Sequence, residues 1–258
     1  MIQLRTIITI ASLIMFSSIV PSDAQTPKVK RYTVKVLETL PHNVNSYTQG
    51  LFFYKGRLFE SSGLYGQSFF HEVDIKKGTS IRSFKLPSKY FAEGAVAFKD
   101  RLYLLTWQER EVLVYDINSF KHLGTLYNPR DGWGLTTDGT NLITTDGSSF
   151  IYFHDPETFR QISKIEVTLS GERVEYLNEL EFINGEIWAN IYEEDVIVII
   201  NPKTGVVRAT LDCRRLLPQV LKTTSTDVLN GIAFNPADGS LYLTGKNWPK
   251  MYRVELPK

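Results

Sequence analysis

A five-fold internal repeat is the feature that most constrains the fold of this 258-residue chain. Each copy has a large or polar residue, usually a small residue, an apolar strand, a turn and a second strand, as in EGAVAFKDRLYLLTW. The copies begin 40 to 52 residues apart, at Gln49, Glu93, Trp133, Asn178 and Asn230. Periods of this length indicate an array of similar supersecondary units.

A turn dipeptide joins the two strands of each copy at the matching place. The five dipeptides are Lys55-Gly56, Lys99-Asp100, Asp138-Gly139, Asn184-Gly185 and Asp238-Gly239. Residues of these types suit the positive φ angles of tight hairpin turns. The sequence therefore predicts a β-hairpin at the start of every unit.

Each unit continues with a third strand, a polar turn and a fourth strand, as in VLVYDINSFKHLG. Four short strands in such a period are typical of a propeller blade, so we predict an all-β, five-bladed β-propeller. The last unit ends one strand short at MYRVELPK, and KRYTVKVLETLPH near the other end of the chain supplies a spare strand. We expect this N-terminal strand to complete the last blade, which leaves no exposed sheet edge at the seam. A two-sheet sandwich is the alternative, but it does not explain five copies.

The first 24 residues have the pattern of an export signal. Arg5 is the only charged side chain among the first 22 residues, and it precedes the 14-residue apolar core Ile7–Val20. This core is short for a bilayer span and suits a signal peptide. We predict that residues 1–24 are removed after Ala24 and that residues 25–258 form one exported domain, periplasmic or secreted. An uncleaved membrane anchor is the alternative.

Composition excludes several classes of function. With 29 Lys and Arg against 28 Asp and Glu, the net charge of +1 gives no basic footprint for nucleic acid. The single cysteine, Cys213, excludes a disulfide framework and a Cys-rich zinc site. The four histidines are scattered without a metal-ligand spacing, and the chain has neither a Gly-rich phosphate loop nor a G-x-S-x-G elbow.

The residue that opens each unit is expected to face the central channel, because the innermost strand of a propeller blade lines it. Glu93 is the only acid among these five residues. Phe91, Trp107 and Trp133 are candidates to surround its carboxylate, and lost hydration would raise its pKa and suit it to proton transfer. Polar lining of a hydrated channel and ordinary packing of the tryptophans are the alternative interpretations.

Two weaker patterns involve other oxygen-bearing side chains. Glu179 and Glu181 alternate on a strand and so share one face. This pattern fits an acid pair, but we favour a solvated strand face. Oxygens of Glu93, Asn178 and Asn230 form a possible site for a hard cation such as Ca²⁺, although amides alone bind such ions poorly.

Seven separated blocks resemble, in this order, the plant-type glutaminyl-peptide cyclotransferases, which also occur in bacteria. The blocks are YTQGL, LFESSGLYGQS, FAEG, LTW, GWGL, LNELEFINGEIWAN and TGKNWPKMYRVEL, within residues 32–258. The resemblance implies a five-bladed propeller that converts the N-terminal glutamine of peptides or proteins to pyroglutamate and releases ammonia. It implies no metal or other cofactor. We further expect a monomer with neither a nucleic-acid partner nor a stable membrane association after signal cleavage.

Carried over residue by residue, the resemblance implies that Glu93 is the acid/base group. It assigns substrate binding to Gln49, Phe91, Trp107, Trp133, Asn178, Tyr192 and Lys246. A tryptophan of the family pattern falls on Tyr192 here, which keeps an aromatic wall but changes its shape and adds a hydroxyl group. We hypothesise that Glu93 carries a proton from the attacking α-amine to the departing ammonia.

The residues leave two other functions open as alternatives. The first is a metal-dependent propeller hydrolase, such as a lactonase, with a cation on Glu93 and Asn178. The second is a non-enzymatic propeller that uses its channel aromatics as a binding platform. If cleavage leaves Gln25 at the front of the mature chain, the enzyme's own N-terminus is also a potential substrate.

Overall fold

The computed structural model describes residues 28–257, so the predicted signal segment and Gln25 lie outside the described residues. Residues 28–257 form strands, turns and one short 3₁₀ turn, Gln219–Leu221, with no α-helix in that range. No helix in this part of the chain is long and apolar enough to cross a membrane. Five sheets of four or five strands build the predicted five-bladed propeller, and the fold prediction is confirmed.

The strands follow one another along the chain in blade order. Two strands come first, β1 (Lys30–Thr33) and β2 (Val36–Pro41). Blade one contains β3 (Thr48–Tyr54), β4 (Arg57–Ser62), β5 (Phe69–Asp74) and β6 (Thr79–Lys85). Blade two contains β7 (Ala92–Phe98), β8 (Arg101–Thr106), β9 (Glu111–Asp116) and β10 (His122–Tyr127). Blade three contains β11 (Leu135–Thr137), β12 (Leu142–Thr144), β13 (Phe150–His154) and β14 (Gln161–Glu166).

A small hairpin separates blades three and four, formed by β15 (Thr168–Leu169) and β16 (Glu172–Arg173). Blade four contains β17 (Leu177–Ile183), β18 (Glu186–Ile191), β19 (Val196–Ile200) and β20 (Val207–Asp212). Blade five contains β21 (Leu229–Asn235), β22 (Ser240–Gly245) and β23 (Lys250–Val254), with β2 as its fourth strand. The apolar core lies in clusters between successive sheets, rich in Leu, Ile, Val and Phe.

The N-terminal segment closes the ring as predicted, but it does so with two strands instead of one. β2 pairs antiparallel with β23, so it completes blade five. β1 instead adds in parallel to the outer edge of β20, with Lys30 opposite Ala209. The chain crosses from blade four to blade five between these strands, and so it covers the edges of both sheets at the seam.

Three of the five predicted hairpins have two-residue turns with both residues at positive φ. These are Lys55-Gly56, Lys99-Asp100 and Asn184-Gly185. In blades three and five the loop is four residues long, with Gly139 and Gly239 at positive φ. The longer loop takes up two extra residues in blade five, whereas in blade three it replaces residues of the two short strands.

The innermost strands approach one another so closely that only small side chains fit between them. An added Cβ on Gly94 of β7 would lie 2.4 Å from the backbone nitrogen of Leu135 in the next blade. An added Cβ on Gly50 of β3 would lie 2.6 Å from the nitrogen of Ala95. The small second residue of these repeats is therefore required by the packing of neighbouring blades around the axis, whereas blade four has Glu179 at this place.

The prediction that Glu179 and Glu181 lie on a solvated strand face is wrong, because both side chains are buried along the axis. The Glu179 carboxylate accepts hydrogen bonds from the backbone N–H groups of Ile232 (2.8 Å) and Leu51 (3.4 Å), in two other blades. Glu181 lies toward the opposite mouth of the channel and accepts from the Thr136 hydroxyl at 2.8 Å. Burial raises the pKa of Glu179 well above its ordinary value and that of Glu181 to about 8.

Candidate active site

A cavity of about 260 Å³ opens at one mouth of the channel. Its lining contains all eight residues that the sequence singled out, together with Tyr47 from the YTQGL block. The lining residues are Tyr47, Gln49, Phe91, Glu93, Trp107, Trp133, Asn178, Tyr192 and Lys246. Residues from all five repeat units therefore meet in one pocket, although the most distant are about 200 positions apart in sequence.

A β-bulge positions the residue that opens most of the blades. The pairing register shifts at the start of β3, β7, β17 and β21, next to Gln49, Glu93, Asn178 and Asn230. A bulge inserts an extra residue and changes the direction of its side chain. The repeated irregularity thus turns polar side chains toward the axis, while the following residues of the same strands stay in the core.

Glu93, near the start of β7, lines the cavity and is only 5% exposed. Its Oε1 accepts a hydrogen bond from Gln49 Nε2 at 3.1 Å. Gln49 is in turn oriented by Asn230, whose Nδ2 donates to Gln49 Oε1 (3.3 Å) and to the Thr48 carbonyl (2.8 Å). Asn230, although predicted to face the channel, does not line the cavity, and instead it orients Gln49.

The environment of Glu93 favours its protonated form. Burial raises the pKa of this carboxyl well above its ordinary value, and the nearby charges of Glu109 and Asp131 raise it further. The Lys246 ammonium acts in the opposite direction. A carboxyl group that titrates closer to neutrality can both accept and donate a proton under ordinary conditions.

Aromatic rings form the walls above Glu93. Phe91 and Trp107 meet edge to face with ring centroids 5.5 Å apart. Trp133 and Tyr192 meet in the same way at 5.7 Å. Edge-to-face contacts fix the orientation of such rings, so the pocket has flat apolar sides of definite shape.

Lys246 is the cationic group of the pocket and is only 3% exposed. Its Nζ lies 4.7 Å from the ring centroid of Tyr47 and 5.1 Å from that of Tyr192. Burial lowers its pKa, while Glu93 and Asp227 oppose that change. A cation held between two aromatic faces keeps its N–H donors available for an oxygen atom of a ligand.

Several contributors to the site were missed in the sequence. Glu109 reaches the rim of the pocket, where it accepts a hydrogen bond from the Tyr65 hydroxyl at 2.7 Å. Asp131 and Asp227 act on the pocket through their charges. All three acids stand in loops between strands, where no periodicity distinguishes them from surface charges.

The proposed cation site at Glu93, Asn178 and Asn230 finds no further acidic ligand. Among residues 28–257, no group of three or more His, Cys, Asp or Glu side chains is arranged to hold a metal ion. Asn230 donates with Nδ2 to Gln49 and Thr48, and its Oδ1 has no hydrogen-bond partner within the described part of the chain, but the residue does not line the cavity. The geometry therefore favours a ligand that combines apolar surface with an amine or amide group.

Comparisons with known proteins agree with this chemistry. A family model of glutamine cyclotransferases matches residues 9–256. A glutaminyl-peptide cyclotransferase of Arabidopsis thaliana is 39% identical over 228 residues, which cover 86% of this chain and 71% of the relative.

Solved structures give the same result for the fold. The crystal structure of Myxococcus xanthus glutaminyl cyclase superposes with a TM-score of 0.83 at 32% identity, over 88% of this chain and 98% of that one. The WD40 β-propeller domain of Doa1 has a TM-score of 0.50 at 12% identity, over 81% of this chain and 63% of that one, and supports the fold alone.

Proposed function

This chain belongs to the glutamine cyclotransferase family, and from that premise we propose that it converts the N-terminal glutamine of peptides and proteins to pyroglutamate, with Glu93 as the proton carrier. The family and its curated relative are enzymes, which removes the non-enzymatic platform as an interpretation. The observation that carries the role of Glu93 is its position: a buried carboxyl in the lining of an aromatic pocket, hydrogen-bonded to Gln49.

The reaction joins two groups of a single residue. The α-amine nitrogen of the substrate forms a bond to its own side-chain amide carbon, and the bond from that carbon to the amide nitrogen then breaks. Because both groups belong to one residue, the main task of the enzyme is to hold the side chain in its folded form. The box of Trp107, Trp133 and Tyr192 is suited to pack on the methylene groups of such a side chain.

One proton must move for the reaction to balance. Ionised Glu93 takes a proton from the attacking amine, and the protonated Glu93 then gives it to the nitrogen that leaves as ammonia. The side chain ends the cycle in the state in which it began. A raised pKa suits both steps, because the group that accepts the proton must also release it.

We assign the binding of the substrate's oxygens to three polar groups of the pocket. Gln49 and Asn178 offer amide donors, and Lys246 offers its ammonium group. When the amine attacks, negative charge develops on the amide oxygen. We assign its stabilisation to these groups, and above all to Lys246, since a buried cation is most effective where water is excluded.

Replacing Glu93 by glutamine tests the proposal most directly. Glu93→Gln keeps the size of the side chain but removes proton transfer, so kcat for a Gln-initiated peptide should fall by about 10²-fold or more. Released ammonia is the measurement, and an unchanged thermal unfolding midpoint is the control for folding. A folded variant with near-normal turnover would reject the role of Glu93.

The same assay tests the proposed independence from metal. Every step above is assigned to a side chain, so cyclisation should survive prolonged treatment with a strong chelator. Activity that disappears with the chelator and returns with an added divalent ion would favour a metal-assisted route.

A further inference from the structure

A buried charge cluster lies outside the cavity, between the strand that closes the ring and blade one. Its centre is Glu60 on β4, which is fully buried. Glu60 Oε1 accepts hydrogen bonds from His42 Nε2 (3.0 Å) and Thr48 Oγ1 (2.6 Å). Oε2 accepts from His71 Nε2 (2.7 Å) and Ser46 Oγ (3.1 Å). Burial opposes ionisation of Glu60, but the charge of His42 and the hydrogen bonds from both histidines hold its pKa well below the ordinary value, so Glu60 is ionised.

The charge of His42 follows from its hydrogen-bond partners. Its Nε2 faces the Glu60 carboxylate, and its Nδ1 lies 2.8 Å from the Trp248 carbonyl oxygen. Both partners are acceptors only, so both ring nitrogens must carry a proton and His42 is an imidazolium ion. Burial alone would lower the pKa of His42, but the charge and hydrogen bond of Glu60 raise it above its ordinary value.

His71 differs because its second nitrogen faces a group that can donate. His71 Nδ1 lies 2.6 Å from Ser80 Oγ, whose hydroxyl hydrogen can point at the ring. A neutral His71 with its proton on Nε2 therefore satisfies both contacts. The charges that the contacts require are therefore a positive one on His42 and a negative one on Glu60.

The cluster connects three parts of the molecule. His42 directly follows β2 and bonds to Trp248 in blade five. Glu60 and His71 belong to blade one. Ser46 and Thr48 flank the residues that line the cavity, Tyr47 and Gln49.

Thr48 brings the cluster within one residue of the active site. Its hydroxyl is held by Glu60, and its carbonyl oxygen accepts from Asn230 Nδ2, which also orients Gln49. A shift of Thr48 would therefore move both Gln49 and the amide that orients it. Gln49 in turn donates to the carboxyl of Glu93.

We propose that His42, Glu60 and His71 form an ionic clasp that positions Tyr47 and Gln49 for substrate binding and fastens blade five to blade one. The effect on substrate rests on the proposed function, whereas the charge of His42 does not. The charged group that acts on His42 is Glu60, and His71 lies across the same carboxylate. The group of blade five that faces His42 is the Trp248 carbonyl. In the turn after β5, Gly78 packs against the backbone of Pro41 and His42.

The charge state of His42 is tested by nitrogen NMR of the full chain at neutral pH. Both ring nitrogens of His42 should have the shifts of protonated nitrogens, and they should keep them above the ordinary histidine pKa of 6.5. His122, an exposed histidine on β10, serves as the internal comparison in the same spectra. A neutral His42 ring at pH 7 would overturn the ionic clasp.

The positioning role is tested at Thr48, because replacing Glu60 itself risks unfolding the chain. Thr48→Val keeps the shape of the side chain but removes the hydroxyl that bonds to a buried carboxylate. Without this bond Thr48 can shift, and Gln49 and Asn230 with it, so we expect KM for a Gln-initiated peptide to rise by about tenfold or more, with a smaller change in kcat. Thr48→Ser keeps the hydroxyl and should restore KM to within about twofold.

Failure of the clasp can be distinguished from failure of the proposed function. If the Thr48→Val variant keeps the KM of the wild type, the clasp does not position the site, although the enzyme still makes pyroglutamate. If the wild type releases no ammonia from any Gln-initiated peptide, the proposed function fails, while the NMR measurement still decides the charge of His42.

Discussion

Replacing Glu181 by glutamine should stabilise the protein at neutral pH and not in acid. Glu181 is buried on the axis, and no basic side chain among residues 28–257 forms an ion pair with it. Its pKa is raised from 4.5 to about 8, chiefly by burial. Between these two values the folded protein keeps a proton that the unfolded chain releases, so the free energy of unfolding falls as pH rises.

The size of the effect follows from the two pKa values. Each pH unit between them costs about 1.4 kcal/mol of stability, which amounts to about 3 kcal/mol between pH 4.5 and pH 7. Above pH 8 the folded protein ionises as well and the loss levels off. Glutamine is neutral at every pH and can still accept from Phe234 N–H, as Glu181 does at 3.3 Å.

Urea unfolding of the wild type and of Glu181→Gln at pH 4.5 and pH 7 measures the effect. The variant should gain about 3 kcal/mol over the wild type between the two pH values. Glu194→Gln, at an exposed acid, serves as the matched control and should gain almost nothing. An equal difference between variant and wild type at both pH values would refute the assignment of a raised pKa to Glu181.

Three further predictions concern the close contact of the innermost strands at Gly94, the charge of Lys246 and the predicted N-terminal residue Gln25. Gly94→Ala should destabilise the fold by about 1–3 kcal/mol, because the added Cβ meets the backbone of blade three, whereas Gly124→Ala has open space and should be nearly neutral in urea unfolding. Lys246→Met removes a charge that lowers the pKa of Glu93, so the ionisation of Glu93 in the pH profile of kcat/KM should move to higher pH; a shift to lower pH would contradict the placement of that charge. Cleavage after Ala24 would expose Gln25, five residues before Lys30 on the outermost strand of blade four. Four strand spacings of about 4.8 Å separate that strand from the channel, whereas five residues span at most about 17 Å. One molecule should therefore modify Gln25 of another, and mass spectrometry should show pyroglutamate forming faster at higher protein concentration. A rate independent of concentration would contradict this geometry.

The repeat predicts the fold well because its signals are local. The turn dipeptides, such as Asn184-Gly185, determine hairpins within a few residues of themselves, and each unit repeats them. The position of Glu93 follows from the same pattern, since the opening residue of a unit lies at the start of the innermost strand or just before it. The roles of the pocket residues come from the resemblance to a family and stay predictions until the variants are assayed.

The features that could not be predicted from the sequence depend on contacts between distant blades. Glu179 has the alternation of a surface strand, and only the backbone N–H groups of blades one and five make its burial possible. His42 and His71 are scattered in sequence, but a single carboxylate brings them together. The division of the N-terminal segment into β1 and β2 likewise depends on the free edge of blade four, which no local pattern reveals.

The use of β1 and β2 to finish blades four and five has a consequence for biosynthesis. A nascent chain on the ribosome can build blades one to three from neighbouring residues, but its first two strands must wait for partners that are made about 180 to 220 residues later. Folding to the closed ring is therefore a late event of high contact order, and a chain that stops short of the last hairpin leaves β2 without its native partner. Such a chain is a natural substrate for chaperones and proteases until the final strand arrives.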